Sequence, residues 1–173
     1  MECNRIGLMI LGCLSKTLDC DLLEGKHDPN KQSTSATALL HYPVQPHNVG
    51  KSGGHVAHTD VGSLSILFSY QEGLQISRSG GDEADAEWLY IKPKPDYAVI
   101  NVGHKLKSSY HRVVSVQKEA RASVIYFLRP QMDATFTDKE GKEWTSVDYH
   151  DMKFNAFRHD KAEEVHDILR GDC

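Results

Sequence analysis

His58-Thr59-Asp60 sets an imidazole and a carboxylate two positions apart, and His111 follows 53 residues after His58. In extended backbone, residues i and i+2 point to one face, so the first two side chains can reach one ion. A nitrogen from the distant histidine would complete a set of two imidazoles and one carboxylate. That donor set holds Fe(II) on one face and leaves three positions open to exchangeable ligands. The spacing is common, and on its own it favours a hydrogen-bonded surface pair. The chain has ten histidines, and a lone one is more often structural or solvated than a ligand. His27, His47, His150, His159 and His166 stand in polar stretches and read as solvated. His41, beside Tyr42-Pro43, and His55 and His104, beside glycines, stay ambiguous.

A second pair shifts that balance. Arg121-Ala122-Ser123 opens a strand ten residues after His111. The guanidinium and the hydroxyl again share a face, which Ile125 and Phe127 continue with apolar groups. An inward arginine at the head of an apolar strand is costly unless an anion meets it. The strand offers no acidic residue at the matching positions, and a bound carboxylate held by the guanidinium fork would answer the cost. The alternative is an arginine that snorkels outward into water.

These side chains need a rigid frame, and the chain reads as mainly β. Thr37–Tyr42, Ser63–Tyr70, Gly73–Ser77, Trp88–Ile91, Tyr97–Val102, His111–Val116 and Ser123–Leu128 are short β-forming runs separated by turns. That pattern predicts a sandwich or barrel. His27 to Ala36 reads as a linker. Ahead of it, Ile6, Met9, Ile10, Cys13, Leu14, Thr17 and Leu18 recur at helical spacing, extended by Leu22 and Leu23. This predicts an amphipathic helix on the core, in preference to a signal-peptide core behind Arg5. The apolar run Ile6–Leu14 is too short to span a bilayer. Beyond Pro130 the chain turns polar, with a helix expected over Lys161–Leu169.

Composition agrees with a globular chain. Its 173 residues are 39% hydrophobic and 25% charged, and the formal net charge is −4. The mild acidity and the lack of a basic run give no footprint for nucleic acid or anionic lipid. Cys3, Cys13, Cys20 and Cys173 show no Cys-x-x-Cys spacing and read as free thiols of a reducing, cytoplasmic compartment.

Six motifs in order carry a resemblance: LHYP (Leu40–Pro43), AHTDVGSLSILF (Ala57–Phe68), EGLQI (Glu72–Ile76), YAVINVG (Tyr97–Gly103), LKSSYHRVV (Leu106–Val114) and RASVIYFLRP (Arg121–Pro130). Together they resemble the Fe(II)- and 2-oxoglutarate-dependent dioxygenases of the isopenicillin-N-synthase-like superfamily, in phrasing nearest the fungal members of small-molecule metabolism. The resemblance implies a double-stranded β-helix, or jelly roll, with flanking helices at both ends. It implies His58, Asp60 and His111 as iron ligands, with no further catalytic residue. It implies Arg121 and Ser123 as the grip on the distal carboxylate of 2-oxoglutarate, joined by the Tyr42 hydroxyl. Fe(II), 2-oxoglutarate and O2 would be the cofactor and cosubstrates. The reaction would hydroxylate, desaturate or ring-close a small-molecule substrate and release succinate and CO2. No nucleic-acid or membrane partner is expected, and the oligomeric state is open.

The resemblance also divides the chain and marks departures. Residues 1–36 would be a helix and linker left from a longer N-terminal region, 37–130 the jelly-roll core, and 131–173 a C-terminal extension. Family chains continue past the NVG motif with an Asp, an apolar strand and a turn. Here Gly103-His104-Lys105 leads straight to Leu106, so about ten residues are expected to be missing, a core strand deleted or the sheet repaired. A truncated remnant that holds metal without coupled turnover is the competing expectation.

Overall fold

A computed structural model describes residues 2–19, 24–44, 47, 55–78, 86–103, 108–115, 119–138 and 140–158. Among them are helix α1 (Glu2–Leu18) and strands β1 (Ala36–Tyr42), β2 (His55–His58), β3 (Leu64–Ser69), β4 (Leu74–Ser77) and β5 (Trp88–Tyr90). There follow β6 (Val99–Val102), β7 (His111–Val113), β8 (Arg121–Leu128), β9 (Thr135–Thr137), β10 (Glu143–Thr145) and helix α2 (Ser146–Arg158). One sheet runs β1-β8-β3-β6 and the other β2-β7-β4-β5, with β9 and β10 as a separate hairpin. All of these pairings are antiparallel. Apart from the β4–β5 pair, each successive strand up to β8 belongs to the opposite sheet. That is the jelly roll which the sequence leads one to expect.

Beneath α1, strands β3 and β8 are covered on both faces and run apolar there, while Phe68 and Val124 farther along are exposed. Leu64, Ile66, Tyr126 and Leu128 point to α1 and form the buried core with Leu11. The intervening residues Ser65, Leu67, Arg121, Ile125 and Phe127 point the other way, into a cavity between the sheets. The dense packing of the molecule therefore lies under the helix, and the space between the sheets is left for ligands. Leu11 is 1% exposed. Leu11→Ala is expected to cost about 2–5 kcal/mol, read as a lower urea midpoint with unchanged slope.

Helix α1 corrects one expectation. Its inward face is Gly7, Leu11 and Ser15, flanked by Cys3, Leu8, Ile10 and Leu14. Met9 is 57% exposed, and Ile6 and Leu18 are also exposed. Hydropathy alone ranks Ile and Met above glycine, but close approach reverses the order. A Cβ on Gly7 would lie 2.9 Å from a Leu128 methyl, so the small residue must face the sheet. Leu22 and Leu23 lie outside the described residues.

Of the two outcomes expected after Gly103, a deleted core strand is not what the described residues show. Strand β6 pairs with β3, and β7 pairs with both β2 and β4, so each four-stranded sheet is continuous. Ser108–Tyr110 form no strand, and residues 104–107 lie outside the described residues. Strand β6 is already at its sheet's edge, so the segment that follows has only to cross to the other sheet, a spacing of about 10 Å. The Tyr110 carbonyl accepts a bond from the Ser77 N–H at 2.8 Å, adding one rung to the β4–β7 ladder.

The C-terminal region differs from its reading too. Helix α2 begins at Ser146, within the stretch taken as polar, and the expected helix at 161–169 falls outside the described residues. Thr145 caps it, with Oγ1 accepting from the Asp148 N–H at 3.1 Å and donating to Asp148 Oδ2 at 2.6 Å. Thr-x-x-Asp is a variant of the capping-box signal.

Candidate active site

The three candidate ligands converge. His58 ends β2 and sits directly opposite His111, the first residue of β7. Asp60 lies two residues past the strand end, in the turn to β3, so that turn and not an extended strand brings it alongside. Asp60 Oδ1 stands 3.8 Å from His58 Nε2 and 3.6 Å from His111 Nε2. One ligand atom from each residue falls within 4.8 Å of the others. A triangle with sides of 3.8, 3.6 and at most 4.8 Å has a centre no more than about 2.5 Å from every corner, near the 2.0–2.2 Å that nitrogen and oxygen ligands adopt once they close on a metal.

Hydrogen bonds orient each ligand. His58 donates its Nδ1 proton to the Val56 carbonyl at 2.7 Å, and His111 does the same to Ser109 at 2.9 Å. Both lone pairs then sit on Nε2, facing the common centre. Asp60 Oδ2 accepts from Ser65 Oγ at 2.5 Å and from Asn101 Nδ2 at 2.9 Å, so Oδ1 is the oxygen turned to the histidines. Burial would raise the Asp60 pKa. The neighbouring His58 and His111 rings and the Ser65 hydroxyl outweigh it and hold the carboxyl well below the usual range. Burial lowers the His111 pKa, helped by His58 and opposed by Asp60. An ionised carboxylate and a neutral imidazole are the forms that a cation requires.

The turn carrying Asp60 is built on two glycines. Gly62 has φ +136°, and an added Cβ would meet the Leu128 carbonyl oxygen at 2.8 Å. A Cβ on Gly103 would lie 2.4 Å from the Gly62 oxygen. Gly62→Ala is expected to cost about 1–3 kcal/mol in strain, a fall of roughly 3–10 °C in Tm, measured by calorimetry. Arg129 braces the same turn, donating to the Val61 and Thr34 carbonyls at 3.1 and 2.6 Å.

Arg121 occupies another part of the cavity. It is 3% exposed and donates to Ser123 Oγ at 3.0 Å, and its guanidinium lies 5.2 Å over the Tyr42 ring. Tyr42 and Arg121 are directly paired across β1 and β8. Arg121 Nε is buried without a hydrogen-bond partner, and among the described residues no carboxylate pairs with it. Burial lowers the Arg121 pKa, partly offset by Tyr42, and burial raises that of Tyr42, offset by Arg121. A buried cation with an unanswered donor fits an anionic ligand.

The cavity measures about 740 Å³, and His58, Asp60, His111, Arg121 and Tyr42 all line it. It also contains residues that the sequence reading passed over. Ser65 and Asn101 hold the carboxylate; a polar residue inside the apolar run YAVINVG was the available signal for Asn101. His150 and Phe154, one turn apart on α2, line the wall with their rings stacked at 5.7 Å, so His150 is not a solvated surface residue. His27 is likewise half-buried, its Nε2 3.0 Å from Ser63 Oγ.

Comparison with known proteins assigns the class. The model of the 2OG-Fe(II) oxygenase superfamily matches residues 33–130. A 2-oxoglutarate-dependent dioxygenase, iboH, of Amanita muscaria is 39% identical over 162 residues, covering 86% of this chain and 76% of that protein. Another, frbH of Dothideomycetidae sp., is 35% identical, covering 97% of this chain but 56% of its own length. The chain thus spans about half to three quarters of these relatives. Among solved structures, a full-length Neurospora crassa protein in complex with alpha-KG and thymine superposes with TM-score 0.68 at 20% identity, covering 89% of this chain and 53% of that one. The dioxygenase for auxin oxidation 1 of Arabidopsis thaliana, in complex with 2-oxoglutarate, gives 0.61 at 24%, covering 80% and 55%. These two show the fold. The chain belongs to the 2OG-Fe(II) oxygenase superfamily. The family's group is Fe(II) with 2-oxoglutarate, and the donor set and the buried unanswered arginine fit both.

Proposed function

We propose that this chain is a non-haem Fe(II)- and 2-oxoglutarate-dependent dioxygenase that oxidises a small-molecule metabolite. The outcome is hydroxylation, desaturation or ring closure, with release of succinate and CO2. One observation carries the reading: a two-histidine, one-carboxylate set and a buried arginine share a single cavity between the sheets. His58 Nε2, His111 Nε2 and Asp60 Oδ1 would hold the iron. Arg121 and Ser123, with Tyr42 beside them, would take the distal carboxylate of 2-oxoglutarate. When bound, the iron supplies O2 activation coupled to decarboxylation of the cosubstrate. The protein's share is to orient these groups and exclude bulk water from the apolar walls. Residues 37–130 would form the catalytic core. A cavity of this volume suits a small molecule. No described helix is long and apolar enough to cross a membrane, and the free thiols of Cys3 and Cys13 support a reducing, cytoplasmic location.

The test is anaerobic titration with Fe(II) followed by 2-oxoglutarate. A visible charge-transfer band that needs both additions, and succinate formed once air is admitted, support the reading. Absence of both from folded protein refutes it.

A further inference from the structure

We infer that Ser65 and Asn101 are a paired positioning device that keeps Asp60 a one-oxygen ligand, and that Asn101 also ties Asp60 to the segment carrying His111. The inference rests on the reading that the triad holds the ion. Ser65 and Asn101 are direct cross-strand partners on β3 and β6. Both side chains line the cavity, and both donate to the same oxygen, Asp60 Oδ2. Neighbouring inward positions, Leu67 and Val99, are apolar, so the polar rung is a local exception at the point where the carboxylate needs it. Asn101 Oδ1 accepts a long bond, 3.4 Å, from the Ser109 N–H. The Ser109 carbonyl in turn receives the His111 Nδ1 proton. A carboxylate with two donors on Oδ2 has its plane fixed and offers Oδ1 to the centre. Freed from them, it can turn and bind through both oxygens, taking up a position that cosubstrate or O2 would use. Partners of this kind typically alter metal affinity by about 10–100-fold.

The experiment measures Co(II) affinity, the Co(II) d–d spectrum and apo-protein Tm for the full chain and for Asn101→Ala, Ser65→Ala and Ile66→Ala. Co(II) serves as a stable spectroscopic stand-in for Fe(II). Asn101→Ala and Ser65→Ala are expected to weaken Co(II) by roughly tenfold or more and to shift the d–d bands in the same direction. Ile66→Ala, on the helix-facing side of β3, is expected to lower Tm and leave affinity and spectrum alone. Native affinity and spectrum in the Asn101 and Ser65 variants, with only Tm reduced, would overturn the inference and leave the triad reading intact. If the parent chain itself binds no Co(II), the triad reading fails and this inference with it. Ser65→Ala removes a single hydroxyl, so it decides the question alone should Asn101→Ala fail to fold.

Discussion

His58→Ala, Asp60→Ala and His111→Ala are each expected to abolish iron binding at micromolar protein. The reason is coordination number. Three protein ligands share the ion, and structural zinc held by four protein ligands sets the scale, with apparent binding energies of about 10–16 kcal/mol. One ligand of three is therefore worth about 3 kcal/mol or more, a loss of roughly a hundredfold or greater. Asp60→Ala adds a second penalty, because Ser65 and Asn101 lose the oxygen to which they donate. The control is His41→Ala. His41 lies on β1 but is exposed and alternates away from the cavity-lining Leu40 and Tyr42. Equilibrium dialysis under anaerobic conditions reads all four variants. Retained binding in any triad variant, or loss in the control, would show that the ion sits elsewhere.

The second large effect is on the cosubstrate, and it has opposite signs for binding and stability. Arg121→Ala removes a desolvated charged partner, which costs on the order of 2–5 kcal/mol of binding, or roughly thirtyfold or more in Kd for 2-oxoglutarate. In the ligand-free protein the same guanidinium is buried, with its Nε unanswered. Replacing such a charge by an apolar side chain of similar volume is often neutral or stabilising. Arg121→Met is therefore expected to weaken 2-oxoglutarate while leaving apo Tm unchanged or higher. Calorimetric titration and thermal melts on one sample separate the two. Unchanged affinity, or a large fall in apo stability, would make Arg121 a structural residue.

Much of this molecule is legible from local pattern. Seven of the eight strands of the two sheets stand out as short β-forming runs between turns, β2 (His55–His58) being the exception, and the inward face of β8 follows from Arg121, Ser123, Ile125 and Phe127 standing two apart. The candidate ligands were legible as types and spacings. What stayed hidden depends on contacts between distant segments. The inward face of α1 is decided by how closely Leu128 approaches Gly7, a distance that no hydropathy pattern contains. Asn101 acquires its role only because β6 lies beside β3 and Ser65 lies opposite. The short interval after Gly103 looks, in sequence, like the loss of a strand, whereas β6 and β7 belong to different sheets and both are paired. The α2 wall leaves no clear apolar stripe, because Asp151 and Lys153 stand between His150 and Phe154, and the signal for its start is the Thr145 cap.

The pairing of β1 with β8, Ala36–Tyr42 against Arg121–Leu128, has a kinetic meaning. Every rung of that ladder joins residues far apart in the chain, and the metal ligands are drawn from β2, the turn before β3 and β7. Topologies dominated by such non-local pairs fold slowly, in milliseconds to seconds for small domains. On a ribosome, β1 has no partner until β8 has emerged, so the cosubstrate pocket is the last part of the barrel to close. Until then the seven histidines that precede β8, among them His58 and His111, are exposed together on an unfolded chain, where metal bound in the wrong places stabilises the wrong state. Refolding without metal, followed by addition of iron, is therefore expected to recover more competent protein than refolding in its presence.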